Sequence, residues 1–395
     1  MSENACAVAE RDEEVAAEVA ATMTMPAPEV VAASVIVNLM PAYAEAPVSL
    51  WLVRRGVDAF CERVRALAAS ESGVVALVPE GDGLVGELEA RLADVARVVA
   101  CDASLGFAYG NESAVLSLLD GARLLPDGAA GTHEGCRVVS AQDVLADDVG
   151  KRWAWFDGAK EPVELAASAS PAELAAVAGV KDAKAVYQGF PVCQFYAGDD
   201  DGAVALRSDY VRVYTQANCM AKALSDVCQK LRRETCGRCV FGHEGGHQIA
   251  TIMADICRKK GKGGDLDLIR DLAPVMEQQS LCEQGAALAR AASSCITLFA
   301  DEIERHYSRK VCAAGECAAF MTYHILPAKC VGCGECVDAC EEEAIMGKPR
   351  FVHVIDQKAC TQCGACMGAC EEEAIVMAGA DKPRTPPRPI PCKRR

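Results

Sequence analysis

Residues 330–340 read CVGCGECVDAC and residues 360–370 read CTQCGACMGAC, so one C-x2-C-x2-C-x3-C pattern occurs twice, 30 residues apart. In this spacing three neighbouring thiolates bind one four-iron, four-sulfur cluster and the fourth thiolate reaches a second cluster. The doubled run therefore predicts two 4Fe-4S clusters that exchange their fourth ligands. The predicted sets are Cys330, Cys333, Cys336 and Cys370 for one cluster, and Cys360, Cys363, Cys366 and Cys340 for the other.

This repeat resembles the bacterial two-cluster ferredoxins, and it predicts a ferredoxin-like two-cluster domain over residues 322–380. Eight cysteines in a small module also fit a disulfide framework or a pair of zinc sites. Zinc ribbons place two C-x-x-C pairs around each metal with a long loop between them, whereas here three cysteines fall within seven residues, twice. The spacing favours the iron-sulfur interpretation, in which every iron has a protein ligand and the clusters carry electrons.

The composition and charge indicate a cytoplasmic protein whose partners are other proteins. The 395 residues suffice for several compact domains, and the net charge of −16 disfavours nucleic acid and anionic lipid as partners. No apolar stretch reaches the length of a membrane span, and the acidic N-terminus lacks the pattern of a secretory signal. The 23 cysteines predict a reducing compartment, in which thiols stay available for metals.

Periodicity divides the chain into units, and the predicted fold class is multidomain α/β and α+β. Ahead of the ferredoxin-like repeat we expect a loose or disordered segment, an α/β unit, a small α+β domain and a helical bundle. These units cover residues 1–32, 33–150, 155–205 and 206–318, respectively. Residues 381–395 form a basic, proline-rich tail that is expected to be extended or disordered.

A second cysteine pattern lies in the predicted helical region. Residues 234–245 read ETCGRCVFGHEG and residues 280–285 read SLCEQG. They resemble the cluster motif E-S-C-G-x-C-x-P-C-R-x-G and the later S-L-C-x-x-G of a known family. That family comprises the flavoprotein (NADH-binding) subunit of respiratory complex I and the β subunits of NAD(P)-linked iron hydrogenases and formate dehydrogenases. The resemblance implies a third iron-sulfur cluster on Cys236, Cys239 and Cys282, within a helical iron-sulfur-binding domain.

The third ligand position of the family motif is occupied by Gly242, which has no side chain to bind iron. The next residue, His243, is a candidate nitrogen ligand, and imidazole ligands raise the cluster potential in Rieske centres. Two alternatives remain open: the cluster is lost, or it keeps three thiolates and an open iron. An EPR spectrum that His243→Ala leaves unchanged would count against the histidine.

The resemblance covers most of the chain, but the family's flavin site is incomplete. Residues 165–192 resemble the family's β-grasp (SLBB-like) domain. AYGNESA at residues 108–114 resembles the family's A-Y-x-C-G-E-E-T-A, of whose acidic pair only Glu112 remains. The glycine-rich FMN and NADH loop of the family, R-G-x-G-G-A-G-F-P, does not occur in the sequence, and the family's N-x-D-E-G-E-P segment appears only as NLMP, which begins at Asn38. Residues 33–150 are therefore expected to be a degenerate flavoprotein-like domain in which Glu112 is a vestigial flavin-site position and FMN does not bind.

A separate glycine pattern allows two interpretations. Gly81, Gly83 and Gly86 spell G-x-G-x-x-G between a predicted strand and a predicted helix. Such a segment is either a dinucleotide-binding loop or a tight turn that leads into a glycine-containing helix. The second interpretation is favoured, because the motif alone has a high false-positive rate.

A further group of candidate metal ligands follows the helical region: His306, Cys312 and Cys317. They match an H-x5-C-A-x-G-x-C stretch of family members that carry a C-terminal ferredoxin domain, and imidazole and thiolate suit a structural zinc site. The sequence does not identify the fourth ligand: Cys295 is about 16 Å from the histidine on a continuous helix and is too far, and Cys219 and Cys228 are alternatives. The competing interpretation is that all of these are reduced core residues.

These features predict an iron-sulfur electron-transfer subunit of a cytoplasmic NADH-dehydrogenase- or hydrogenase-like complex. Such a subunit needs no catalytic residue of its own and does not act autonomously. Its expected partners are other redox subunits, including one that carries a flavin or a metal centre. One alternative is a complete NADH-oxidising flavoprotein subunit, and another is a structural assembly subunit. Bound flavin and the redox activity of the C-terminal clusters separate the three.

Overall fold

The structure, a computed structural model, describes residues 34–126, 136–379 and 381–392. The predicted loose segment at residues 1–32 lies outside the described residues. The chain divides into two compact units. The first contains residues up to 215 with 226–250 and 267–298, and the second contains 216–225, 251–266 and 299–395.

The first unit contains a four-stranded parallel sheet with helices on both faces. Its strands are β1 (Val35–Asn38), β2 (Val74–Pro79), β3 (Arg97–Cys101) and β4 (Arg137–Ser140), in the order β3-β2-β1-β4. Its helices are α1 (Val48–Arg55), α2 (Val57–Ser70), α3 (Leu84–Leu92), α4 (Glu112–Leu119) and α5 (Ala141–Leu145). Alternate residues of β1 enter two cores: Val35 and Val37 pack with α1, α2 and α3, while Ile36 packs with α4. The two central strands, β1 and β2, are almost entirely hydrophobic and buried, as expected where both faces of a parallel sheet are covered.

A mixed sheet with one main helix completes the β structure of the first unit. Its strands are β5 (Lys151–Phe156), β6 (Val163–Ala166), β8 (Ala183–Gln188), β9 (Gln194–Ala197) and β11 (Tyr210–Thr215), in the order β6-β5-β11-β8-β9. Two short strands, β7 (Ser168–Ala169) and β10 (Val204–Ala205), pair with each other. Helix α6 (Pro171–Val177) begins with a capping box of Ser170 and Glu173. The sheet extends beyond the expected limits of 155–205, because β5 pairs in parallel with β11.

Four longer helices follow, and the cysteines of the middle pattern lie between them. They are α7 (Met220–Arg233), α8 (Gly246–Cys257), α9 (Asp265–Gln279) and α10 (Glu283–Ser308). A π-helical turn at Phe241–Gly245 leads into α8. Helix α10 is kinked at Phe299, whose φ of −129° and ψ of 24° are not helical. The region expected to be helical, 206–318, begins with β11 and is helical from Met220.

The ferredoxin-like repeat of the second unit consists of two similar halves. Its elements are β12 (Thr322–Ile325), α11 (Glu335–Asp338), β13 (Ile345–Met346), β14 (Phe351–Val352), β15 (Val354–Ile355), α12 (Ala365–Gly368), β16 (Ile375–Ala378) and β17 (Ile390–Pro391). The halves interlock, because β12 pairs with β16 and β13 pairs with β15. Ile325 and Ile345 of the first half share one core with Ile355 and Ile375 of the second.

The proline-rich tail is attached to this repeat. Strand β17 pairs with β14, and the backbone N–H of Cys392 donates to the carbonyl of Arg350 at 2.9 Å. The tail is thus extended, and its last described residues are part of a sheet. None of the helices in the described ranges combines the length and apolarity that crossing a lipid bilayer requires.

Candidate metal centres

The cysteines of the first run lie beside one cysteine of the second run. Burial and the neighbouring thiols Cys330, Cys333 and Cys370 raise the pKa of Cys336 to about 12. Cys366, from the second run, raises the pKa of Cys336 by less than these three thiols do. The structure therefore groups Cys370, from the second half, with the first three cysteines of the first half.

The second run shows the reciprocal arrangement. Burial raises the pKa of Cys366, and the thiols Cys360, Cys340 and Cys363 raise it further. Each half thus has a fourth thiol that comes from the other half, which is the arrangement that crossed ligation requires.

The backbone repeats the same features around both runs. Gly334 and Gly364 adopt positive φ values of 102° and 82° before α11 and α12, a conformation that glycine adopts without strain. The N–H of Ala344 donates to Cys340 Sγ and the N–H of Ala374 donates to Cys370 Sγ, both at 3.3 Å. Such donors stabilise negative charge on thiolate sulfur.

The two halves differ at one buried position close to the cysteines. His353 is 2% exposed, and its Nδ1 lies 3.9 Å from Cys330 Sγ. Thirty residues earlier, the equivalent position is Tyr323, whose hydroxyl oxygen lies 2.8 Å from where a Cβ on Gly364 would stand. One run therefore has an imidazole neighbour and the other has a phenol.

Acidic side chains follow both runs. Glu341, Glu342 and Glu343 come after the first run and are exposed, and Glu371, Glu372 and Glu373 repeat them after the second. Cys333 and Cys363 are also exposed. Both cysteine sites therefore reach the surface, where they are accompanied by carboxylates.

The middle cysteine pattern combines two segments of the first unit. Cys236 and Cys282 lie within hydrogen-bonding reach, and this contact lowers the pKa of Cys236 to about 6 while it raises that of Cys282. Cys239 Sγ accepts a hydrogen bond from the N–H of Gly242 at 3.2 Å. The motif is anchored by Glu234, whose carboxylate accepts from the N–H of Phe107 at 2.9 Å.

The candidate nitrogen ligand of this centre, His243, interacts with its neighbour in the sequence. Its Nε2 lies 3.6 Å from the Glu244 carboxylate, and its side chain is 48% exposed. The π-helical turn that carries His243 is held by the N–H of His243 itself, which donates to the carbonyl of Cys239 at 2.9 Å.

A compact group of three thiols and one imidazole occupies the second unit. It consists of Cys219, His306, Cys312 and Cys317, all buried, with ligand atoms within 4.8 Å of one another. His306 Nε2 lies 3.2 Å from Cys219 Sγ and 3.6 Å from Cys317 Sγ, and the two sulfurs are 3.7 Å apart. Ligand atoms around a tetrahedral zinc ion are separated by roughly 3.3–3.8 Å. Of the two alternatives for the fourth position, the structure brings Cys219 to the group.

The electrostatics of this group suit a cation. Burial lowers the pKa of His306, but contact with the Cys219 and Cys312 thiols outweighs burial and raises it to about 10. Hydrogen bonds from Cys219 and Cys317 lower the pKa of Cys312. His306 Nδ1 lies 3.0 Å from the Glu302 carbonyl oxygen. A carbonyl only accepts, so Nδ1 carries a proton, and a metal ion would take the place of the second proton at Nε2.

The residues at the positions expected near a flavin are exposed or hydrogen-bonded to other parts of the chain. Glu112 is exposed in the first turn of α4. The Asn38 amide donates to the carbonyl of Tyr109 at 2.8 Å, while its oxygen accepts from the N–H of Met40. In the glycine pattern, the Asp82 carboxylate accepts from the N–H of Leu84 at 3.0 Å and pairs with Arg54. The first N–H groups of α3 are thus already next to a negative charge, which a phosphate would not tolerate.

The sequence indicated most of these residues, offered Cys219 only as one of two alternatives, and missed one feature. Cys219 is 87 residues from His306, so no spacing signal could separate it from Cys228. The missed feature is the hydroxyl of Ser280: Ser280 Oγ is buried and has no hydrogen-bond partner among the described residues. The S-L-C motif that contains Ser280 indicated only its cysteine as a ligand.

Two regions of the chain match known iron-sulfur domains. Residues 222–306 match the NADH-ubiquinone oxidoreductase-F iron-sulfur binding region, and residues 329–374 match a 4Fe-4S dicluster domain. The chain therefore contains two iron-sulfur domains, and the first is similar to the iron-sulfur region of the F subunit of NADH dehydrogenases. This confirms the family resemblance that the cysteine patterns indicated.

Relatives of known function agree with this class. The chain is 32% identical over 167 residues to NADP-reducing hydrogenase subunit HndC of Solidesulfovibrio fructosivorans, which covers 42% of this chain and 32% of that protein. It is 26% identical over 117 residues to the F subunit of NADH-quinone oxidoreductase of Streptomyces coelicolor, which covers 30% of this chain and 26% of that protein. The chain thus spans about a third of the length of these relatives, or less.

The fold is similar to that of a solved hydrogenase. The crystal structure of NAD+-reducing NiFe-hydrogenase in the air-oxidized state aligns with a TM-score of 0.61 at 16% identity, covering 69% of this chain and 56% of that chain. The H2-reduced state aligns with a TM-score of 0.58 at 15% identity. At this identity the similarity concerns the mixed α/β multidomain fold alone.

Proposed function

We propose that this chain is an iron-sulfur electron-transfer subunit of a cytoplasmic, NAD(P)H-linked oxidoreductase complex. The observation that carries the proposal is the reciprocal grouping of the eight C-terminal cysteines, in which Cys370 joins the first run and Cys340 joins the second. Clusters whose irons all have protein ligands transfer single electrons and do not bind substrate. The 23 cysteines support a reducing compartment.

The C-terminal cysteines fit two 4Fe-4S clusters. Cys330, Cys333, Cys336 and Cys370 would hold one, and Cys360, Cys363, Cys366 and Cys340 the other. Backbone donors to Cys340 and Cys370 support thiolate character at both positions. In the first unit, Cys236, Cys239 and Cys282 would hold a third cluster.

The group of Cys219, His306, Cys312 and Cys317 fits a structural zinc ion. Its donor set and separations suit a closed tetrahedron, and a buried site without an open position serves folding rather than catalysis. The proton on His306 Nδ1 orients the ring for coordination through Nε2.

The flavin that exchanges hydride with the nicotinamide would belong to another subunit. Support comes from the missing glycine-rich loop, from the exposed Glu112 and from the internal hydrogen bonds of Asn38. The α/β sheet of β1 to β4 would then be a degenerate flavoprotein-like domain, and the mixed sheet of β5 to β11 a β-grasp domain. Partners would be redox subunits that bear a flavin or a metal centre.

The test is anaerobic reduction of the purified, cluster-reconstituted full chain. NADH or NADPH is added while the visible iron-sulfur absorbance is followed, and dithionite serves as the positive control. Bleaching by dithionite alone is the expected result, because the chain would need a partner to load it with electrons. The control variant Cys336→Ala with Cys366→Ala should lose most of the dithionite-dependent change.

Two other outcomes would reject the proposal in different directions. Bleaching by NADH or NADPH would establish a complete flavoprotein subunit with its own nicotinamide site. No bleaching by dithionite would favour a structural assembly subunit.

A further inference from the structure

We infer that the Ser280 hydroxyl is the fourth protein ligand of the iron-sulfur centre on Cys236, Cys239 and Cys282. This ligand assignment depends on the proposed middle cluster. In this assignment, an oxygen donor from a different segment takes the ligand position at which Gly242 has no side chain. Ser280 thus replaces His243 as the candidate ligand.

The state of the Ser280 hydroxyl is the first observation. Among the described residues, only three buried side-chain polar atoms have no hydrogen-bond partner, and Ser280 Oγ is one of them. A buried hydroxyl without a partner costs roughly 1–3 kcal/mol, and most such atoms in proteins are satisfied. A ligand bound to this oxygen would remove that cost.

The location of the hydroxyl is the second observation. A Cβ built on Gly242 would lie 2.9 Å from Cys239 Sγ and 3.9 Å from Ser280 Oγ. The hydroxyl therefore borders the space that the family's third cysteine side chain would enter from position 242. That space also borders the sulfur of Cys239, itself a candidate ligand.

Gly285 keeps the hydroxyl in this place. A Cβ on Gly285 would stand 2.4 Å from Ser280 Oγ, which is too close for any side chain. Ser280 is itself held at the end of α9, where its N–H donates to the carbonyl of Met276 at 3.0 Å. The serine and both glycines are therefore closely packed beside Cys239.

His243 is a weaker candidate for the same position. Its imidazole is half-exposed and lies 3.6 Å from the Glu244 carboxylate, so its ring already has a polar neighbour and access to water. Ser280 Oγ has neither. The proposed binding step belongs to cluster assembly, before the site closes: the Ser280 O–H bond breaks, the proton passes to solvent and the oxygen bonds to iron, and no electron is transferred. Oxygen is a harder donor than thiolate and suits ferric iron.

The experiment compares variants of the reconstituted full chain by iron and sulfide content and by EPR of the oxidised protein. Ser280→Ala should lose about one iron per chain and show a three-iron cluster signal, since one iron loses its protein ligand. Ser280→Cys should keep the iron content and show no three-iron signal, which also controls for misfolding. Thr297→Ala removes an exposed hydroxyl of α10 that bonds only within its own helix, and it should match the unmodified chain.

Three results would overturn the assignment. Ser280→Ala with unchanged iron content and EPR would exclude the hydroxyl as a ligand. A three-iron signal that appears with His243→Ala and not with Ser280→Ala would give the position to the histidine. A three-iron signal already present in the unmodified chain would mean that the fourth position has no ligand.

Cys282→Ala separates failure of this assignment from failure of the proposed cluster. If Cys282→Ala lowers the iron content by about a whole cluster and Ser280→Ala has no effect, the cluster stands and the serine assignment fails. If Cys282→Ala leaves the iron content unchanged, the middle cluster itself is absent and both proposals fail.

Discussion

The C-terminal repeat and the middle cysteine pattern both provide ligands for iron-sulfur clusters, but only the repeat provides a complete set of cysteines. In the repeat, all eight thiols come from two local runs, and each run receives its fourth thiol from the other. In the middle pattern, three thiols come from two segments, and Gly242 stands where the family motif has its third cysteine. A motif that is complete in sequence needs little from the rest of the fold, whereas an incomplete motif depends on what the fold brings near.

The group around His306 lies between these two cases. His306, Cys312 and Cys317 are close in sequence, but Cys219 lies far upstream, immediately before α7. The three centres therefore differ in how many ligands tertiary structure must supply. Variants that remove single ligands or their neighbours should show this difference.

Crossed ligation in the repeat predicts an unequal outcome for two double variants. Cys330→Ala with Cys370→Ala should remove two ligands from one cluster, with a loss of about four irons and an intact second cluster. Cys330→Ala with Cys340→Ala should damage both clusters, because each loses one ligand. Iron analysis and EPR of the reduced protein measure the difference. If the two outcomes were exchanged, each run would bind its own cluster and the repeat would not be interlocked.

Removal of a zinc ligand should destabilise the second unit. Cys312→Ala should abolish zinc retention and lower the Tm of that unit by about 10 °C, because a structural zinc ion contributes directly to folding free energy. Metal analysis and thermal unfolding measure both effects. Cys228→Ala is the control, since Cys228 is also fully buried but lies in the first unit and outside the group; it should retain zinc and leave the Tm of the second unit unchanged. Equal destabilisation by both variants would indicate ordinary core thiols.

His353 should make the reduction potential of the cluster on Cys330 higher than it would be without the histidine. Donation from His353 Nδ1–H to Cys330 Sγ would stabilise the reduced cluster, so His353→Leu should lower that potential by about 50 mV, or roughly 1 kcal/mol. Tyr323→Phe, at the equivalent position, should change the other potential less. An EPR-monitored redox titration measures both, and equal shifts in the two clusters would remove the histidine's specific role.

The sequence predicted elements whose signals are local. Strands β1, β2 and β3 and the helices between them lie in the α/β unit that periodicity predicted, and Ser170 followed three residues later by Glu173 is a local signal for the start of α6. The eight cysteines of the repeat were found for the same reason, because their spacing is itself the signal. The pairing of β17 with β14 carried no such signal, since two residues of a proline-rich tail have no periodicity.

The parts of the sites that the sequence left open or missed depend on contacts between distant segments. Cys219, just before α7, and His306, in α10, come together only in the tertiary structure. The environment of Ser280 Oγ depends on the absence of side chains at Gly242 and Gly285, and sequence spacing does not report such close packing. A composition rich in cysteine therefore identified the kind of chemistry, while the fold selects the particular ligands.

The carboxylates after each cysteine run have a kinetic consequence. Glu341 to Glu343 and Glu371 to Glu373 are exposed, as are Cys333 and Cys363, so an approaching protein meets negative charge close to both sites. Long-range attraction would accelerate association with an electron carrier that has a basic surface and would slow an acidic one. Because the screening length falls from about 10 Å at 0.1 M salt to about 3 Å at 1 M, ionic strength would control the encounter rate more than the binding strength.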